Sequence, residues 1–346
     1  MNEKKERIIL DVAYQPQVRT GTDTRRLMLN VILALLPAVG VAVWQFGLNT
    51  LVVIAASVLS AVFFEWAMRK LRKQSNTIGD LSAVVTGLLL ALTLSPFVPW
   101  WVPVIGSFFA IVVVKQLYGG IGKNFLNPAL AGRAFLLASY TTLMATFNTP
   151  AHTGSAAIDA ITTATPLNLM KNGGEMVYSL KDMFLGLIPG AMGEISALAL
   201  LVGGLYLILR KVISWRIPVS YIGTVALLTL IFGGAGMSRV DFMLYNVLGG
   251  GLMLGAFFMA TDYATSPVTL KGQLLYGAGC GAITVLIRYF GSNAEGVSYA
   301  ILLMNLCAWA IDKGFHRHQF GVSKEDIAEE KAAKKAEKKA AKEAAK

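Results

Sequence analysis

The sequence predicts an all-α polytopic membrane protein with about ten transmembrane helices. Of its 346 residues 55% are hydrophobic and only 15% charged, and the mean hydropathy is +0.58, a balance that belongs in a bilayer. Apolar stretches recur from Leu27 onward, many of them near the roughly 18 residues that carry a helix across about 30 Å of hydrocarbon. The charged residues crowd into the two ends and a few short clusters, leaving no soluble domain between the stretches.

Residues 1–26 read as a cytoplasmic N-terminal segment. Glu3, Lys4, Lys5, Glu6 and Arg7 open a polar run to Arg26 that lacks the apolar core and small-residue cleavage site of a signal peptide. A transmembrane domain follows over 27–313, with spans near 27–45, 50–68, 80–95, 100–117, 128–145, 183–209, 217–234, 242–261, 272–290 and 296–312. Lys and Arg accumulate on cytoplasmic loops. Here they fall at Arg69, Lys70, Arg72 and Lys73, at Lys115 and Lys123, at Arg210, Lys211 and Arg216, and at Lys271, all on alternate connections. The short opposite connections, Gln45 to Thr50, Ser95 to Trp100, Gly233 to Met237 and Gly291 to Gly296, are poor in charge, with Arg239 and Asp241 near one of them. The expectation is a multi-pass protein of the cell (inner) membrane with both termini cytoplasmic. Loop 146–182 then comes after an odd number of crossings and faces away from the cytoplasm. A polar loop of that length in a compact protein is either functional or a linker.

Gly87-Leu88-Leu89-Leu90-Ala91-Leu92-Thr93-Leu94-Ser95-Pro96 aligns weakly with the segment from Gly251 to Ala260. Five spans on each side would make the copies inverted five-helix repeats, an architecture that binds ions at broken helices. Chance similarity between helices rich in Gly, Ala and Leu accounts for the match equally well. Residues 314–346 form a basic cytoplasmic tail dominated by Ala, Lys and Glu, strong helix formers without an apolar stripe. The tail reads as solvated or drawn to anionic membrane lipid, and nothing in it supports nucleic-acid binding. Cys280 and Cys307 sit in apolar stretches without paired metal-ligand spacing, so no metal site is expected from them.

The stretch richest in chemistry is Ile158-Asp159-Ala160-Ile161-Thr162-Thr163-Ala164-Thr165-Pro166-Leu167, in the long external loop. By local physics alone Thr165 before Pro166 is a turn or cap residue. The segment, however, resembles the S/T-G-A-T motif of the RnfD/NqrB family, whose last threonine bears FMN through a phosphodiester. Matched by position, Thr162 stands first, Thr163 replaces the usual glycine, Ala164 stands third and Thr165 occupies the attachment site. Gly21-Thr22-Asp23-Thr24-Arg25-Arg26, Gly119-Gly120-Ile121-Gly122-Lys123-Asn124-Phe125-Leu126-Asn127-Pro128, Gly193-Glu194-Ile195-Ser196, Ser214-Trp215-Arg216-Ile217-Pro218 and Met259-Ala260-Thr261-Asp262-Tyr263 also resemble family segments in the family's order, with Tyr263 where many relatives have proline.

The short segment before the first span is similar to the RnfD branch rather than to the quinone-linked one. That resemblance implies a component of an Rnf complex, in which ferredoxin electrons reach NAD+ while Na+ or H+ is exported. It implies partner subunits carrying the iron–sulfur centres and the NAD site, a separate flavin transferase, a covalent FMN and room for a second flavin, riboflavin. Thr165 would be an anchor, and no catalytic side chain is expected in this chain. Consistently, Gly119-Gly120-Ile121-Gly122 leads out of an apolar span and not out of a strand, so it is no dinucleotide fingerprint.

Ionisable residues in or near the spans are Glu65, Asp80, Lys115, Arg133, Glu194, Asp262, Arg288 and Asp312. Buried charge in a bilayer marks pathways or structural pairs, whereas near span ends it snorkels cheaply. Asp262, beside Thr261 and ahead of Pro267, and Asp80, at a comparable place before the third span, are the candidates for an ion pathway. Taken without the resemblance, ten helices with Gly/Pro-rich breaks fit a nonredox channel or secondary transporter, or a structural scaffold.

Overall fold

The computed structural model describes residues 23–147, 164–173, 176–234, 236–291 and 295–315, and every regular element among them is helical. The first two helices, α1 (Thr24–Phe46) and α2 (Asn49–Leu71), each have 23 residues. At about 1.5 Å per residue each is long enough to cross a bilayer. Gly47 ends α1 at φ 75°, and Arg69 and Lys70 complement the dipole in the last turn of α2.

The next elements are shorter than the apolar stretches that encode them. The 80–95 stretch yields an 11-residue helix, α3 (Ser82–Leu92), entered through Leu81 at φ 63°. α4 (Trp101–Phe108) runs on as a π-helix over Phe109–Gln116. The 128–145 stretch is divided at Tyr140 into α5 (Pro128–Ser139) and α6 (Thr141–Ala145). Two short helices, α7 (Pro166–Lys171) and α8 (Leu180–Leu185), follow in the long loop.

The 183–209 stretch becomes helical only at Ala197, as α9 (Ala197–Leu209). Its first part, 186–196, is irregular backbone inside the protein, which demands partners for its polar groups. It finds them at the end of α3, where Met192 N–H donates to Leu94 O (3.0 Å) and Gly193 N–H to Leu92 O (2.7 Å). The same bonds satisfy carbonyls that the helix end leaves open. A Cβ on Gly193 would stand 2.8 Å from that of Leu92, so glycine is required for the approach.

α10 (Arg216–Phe232) precedes α11 (Arg239–Leu248), which breaks at Gly249 to Gly251 and resumes as α12 (Leu252–Leu254), continued as a π-helix over Gly255–Met259. Gly250 and Gly251 have φ 67° and 65°, and the two halves are bent by 58°. α13 (Leu270–Phe290) and α14 (Val297–Gly314) complete the bundle. Among the described residues α1, α2 and α13 are long and apolar enough to cross a membrane alone, and the bent pair α11–α12 passes as a fourth span. The other expected spans appear as shorter or broken helices, apart from the continuous 18-residue α14.

Packing repeats between the halves. α2 lies on α3 and α4, and α10 lies on α11 and α13. The contacts are made by small residues: Gly87 fits against Ser57 and Val58, Gly203 against Ala34, and Gly277 and Gly281 against α10. Close backbone approach of this kind is how apolar helices associate where lipid removes the hydrophobic drive. Cys280 and Cys307 are free thiols.

Candidate functional site

Three cavities are strung along the broken pair α11–α12, the first beneath α7. Thr165 is the N-cap of α7, with extended backbone (φ −63°, ψ 155°), and its Oγ1 accepts the Asn168 N–H at 3.4 Å. Pro166 follows at the first helical position, where its missing N–H costs nothing. The Thr165 side chain is buried, while Ala164 is exposed. Thr162 and Thr163 lie outside the described residues.

α7 rests on the α11–α12 break, Leu167 opposite Gly249 and Gly250. Below it opens a cavity of about 230 Å³ lined by Met170, Lys171, Phe242, Arg288 and Tyr289 among others. Arg288 is buried, and its guanidinium caps the end of α11: Nη1 donates to Asn246 O and Nη2 to Gly249 O (3.0 Å). Its Nε–H meets no acceptor. Lys171 Nζ donates to Gly291 O, and burial draws its ammonium below the usual lysine range. Phe242 and Tyr289 pack edge to face, ring centroids 6.0 Å apart.

The residues lining this cavity have the chemistry to hold a flavin mononucleotide. The positive charges of Lys171 and Arg288 suit phosphate oxygens, and the rings of Phe242 and Tyr289 suit a flat heterocycle. The capping bond asks only for a lone pair on Oγ1, which an ester oxygen keeps.

The second cavity, about 20 Å³, lies on the other side of Gly250, between Thr93, Arg133, Glu194 and Glu295. Glu194 is only 6% exposed and accepts the Gly250 N–H. Arg133 donates to Thr93 O (2.9 Å) and pairs with Glu295. These groups are far apart in sequence and come together because three chain breaks meet here.

The third cavity, about 90 Å³, is lined by Ser82, Lys115, Asn124, Thr261 and Asp262 among others. Burial pushes the Asp262 carboxyl above the usual carboxylate range, against hydrogen bonds from the Ala264 N–H and the Thr265 hydroxyl. Asp80 does not open onto this cavity; it accepts from Ser82 N–H (2.8 Å) and Ser82 Oγ (2.6 Å), closing its own turn. Ser82 Oγ also accepts from Lys115 Nζ (2.7 Å), which pairs with Glu65 at 2.8 Å, and Thr77 Oγ1 donates to Glu65 (2.8 Å). Ser82 and Lys115 thus join Asp80 to the wall of the cavity that Asp262 also lines. Asn127 caps α5 and donates Nδ2 to Met259 O (3.1 Å), fixing the end of the π-helix to this floor.

Arg288, Lys171 and Glu194 were not marked as site residues by the sequence. For Glu194 a signal existed: an acid directly after Gly193 inside an apolar stretch.

The family model described as the NQR2, RnfD, RnfE family matches residues 11–321. The D subunit of the Na(+)-translocating ferredoxin:NAD(+) oxidoreductase complex of Acetobacterium woodii is 50% identical over 323 residues, 91% of this chain and 96% of that protein. The D subunit of the proton-translocating ferredoxin:NAD(+) oxidoreductase complex of Clostridium ljungdahlii is 42% identical over 327 residues, 91% and 97% of the two chains. The D subunit of the ion-translocating oxidoreductase complex of Escherichia coli is 36% identical over 339 residues, 88% and 96%.

Proposed function

This chain belongs to the NQR2, RnfD, RnfE family, and we propose that it is the D subunit of an Rnf complex that passes electrons from ferredoxin to NAD+ and exports Na+ or protons. Other subunits supply the iron–sulfur centres and the NAD site. This chain supplies a membrane bundle and a covalently held FMN on Thr165, set there by a flavin transferase before α7 seats, since the seated side chain is buried. A second flavin, riboflavin, is left as part of the same reading. The observation that supports the flavin reading is the cavity beneath α7, the helix that Thr165 caps, lined by Lys171, Arg288, Phe242 and Tyr289.

A bound flavin supplies one- and two-electron transfer. The protein's part is to hold it: Thr165 tethers, Arg288 and Lys171 face its negative charge, and Phe242 and Tyr289 shield it from water. Parent protein made with a flavin transferase should show a fluorescent flavin band after denaturing electrophoresis. Thr165→Val should remove that band entirely while losing only the cap, about 1 kcal/mol, so that the chain still accumulates. A fluorescent variant would exclude Thr165 as the anchor. A dark parent would leave the channel or secondary transporter in its place.

Taking each short or bent pair as one crossing, the helices make ten passes, and the parallel packing of α2 and α10 supports two inverted five-helix repeats. That count, with the Lys and Arg asymmetry, favours a flavin cavity on the extracytoplasmic face and the Arg69 to Lys73 turn and both termini in the cytoplasm of a cell-membrane protein. Single cysteines at the exposed residues Ser75 and Ser238, in a background lacking Cys280 and Cys307, test this. An impermeant maleimide added to intact cells should label position 238 and spare 75; the opposite pattern would invert the topology.

A further inference from the structure

We propose that Glu194 is the carboxylate that takes up the exported cation, and that Arg288 ties its charge to the flavin cavity on the other side of Gly250; the inference rests on the function proposed above.

Glu194 stands where the end of α3, the irregular segment 186–196 and the α11–α12 break meet. Irregular backbone at membrane depth persists where it lines a cavity, and interrupted helices are where ions are held. The cavity beside Glu194, about 20 Å³, has room for one occupant the size of a water. Around it the carboxylates of Glu194 and Glu295 face one nearby guanidinium, Arg133 on α5, which is committed to Glu295 and to Thr93 O. The second positive charge is Arg288 on α13, which reaches Gly249 O from the far side of Gly250. α7 adds Lys171 on that far side.

Arg288 therefore serves two cavities at once. It offsets Glu194 through the Gly250 peptide, and its side chain lines the cavity beneath α7. One electron delivered to the flavin cavity beneath α7 by the partner subunits engages the Arg288 charge and leaves Glu194 with less compensation, so Glu194 binds one cation more tightly. When the electron departs toward NAD+, the cation is released. Linkage makes the effect reciprocal: a cation on Glu194 must raise the flavin potential.

The test is a spectroelectrochemical titration of the covalent flavin in the purified complex, comparing parent, Glu194→Gln and Glu194→Asp across a Na+ series at fixed pH and a pH series at fixed Na+. Gln mimics a neutralised carboxylate. Parent and Gln variant should coincide at high cation activity, with the parent falling below the variant as the cation is withdrawn, by at most about 59 mV per tenfold for a one-electron couple. Divergence in the Na+ series identifies Na+, and divergence in the pH series alone identifies the proton. The Asp variant should diverge from Gln as the parent does, with its midpoint displaced along the cation axis. A gap that stays constant in both series, or an Asp curve superimposed on the parent's, with the flavin band present in all three, overturns the coupling and leaves the flavin assignment standing. A dark parent band overturns both.

Discussion

Lys115→Met alone should destabilise the protein by about 3–5 kcal/mol, and Glu65→Met by a similar amount, whereas the double replacement should recover most of the loss. Lys115 and Glu65 are 3% and 1% exposed and lie 2.8 Å apart. Removing either strands the other as a buried charge that cannot reach water. Removing both leaves an apolar pair of similar volume, and its remaining cost is the bonds that Ser82 Oγ and Thr77 Oγ1 lose. Unfolding of the detergent-solubilised protein, followed as a double-mutant cycle, measures the interaction. Additive single effects would show that water penetrates the pair and that it is not a buried one.

Two chemically identical substitutions should have opposite signs. Gly203→Ala places a methyl group on the carbonyl oxygen of Ala34, so α1 and α9 must separate. The cost should exceed the roughly 1–3 kcal/mol typical of overpacking, because the obstacle is backbone and not a side chain that can turn away. Gly223→Ala, in the middle of α10, meets nothing within 4 Å. It should stabilise by about 0.5–1 kcal/mol, since alanine loses less entropy in a helix. Thermal unfolding of both variants decides the matter. A Gly203 variant as stable as the parent would mean that the α1–α9 contact is looser than described.

The long helices were legible in the sequence because length and hydropathy are what a bilayer selects. α1, α2, α10, α13 and α14 fall where the apolar runs predict them. α3, the segment before α9 and the α11–α12 pair did not follow. Their residues are as apolar as those of a continuous span, and hydropathy cannot tell helical from irregular backbone. The break at Gly249 to Gly251 has a visible cause in three consecutive glycines, yet its 58° bend depends on Arg288 supplying the carbonyl partners from α13.

The candidate site divides the same way. Thr165 stood out by its resemblance to a known motif, because a capping threonine before proline is common. The cavity beneath the helix it caps joins α7, α11 and α13, and no local pattern encodes such a meeting. Asp262 and Asp80 were marked for their places beside span ends, but only the fold reveals that Asp80 reaches, through Ser82, the Lys115 that lines one cavity with Asp262. Glu194, Arg133 and Arg288 were visible as charges in or near apolar stretches, but their meeting, with Glu295, on the two sides of Gly250 was not.

The two π-helical stretches have a consequence for length. In each the hydrogen bonds skip one residue further than in an α-helix, as from Leu117 N–H to Val112 O (3.0 Å) and from Ala260 N–H to Gly255 O (2.7 Å). Each stretch therefore stores a surplus residue. One ends at Lys115 and Gln116, the other just before Thr261 and Asp262, so both feed the same cavity. A chain one residue shorter in either place would close into an ordinary helix with every backbone bond intact, but the charge beyond it would swing by about 100° around the axis. Counting, as much as chemistry, keeps Lys115 and Asp262 facing each other's cavity, and a deletion invisible to any measure of hydrophobicity would empty it of one of them.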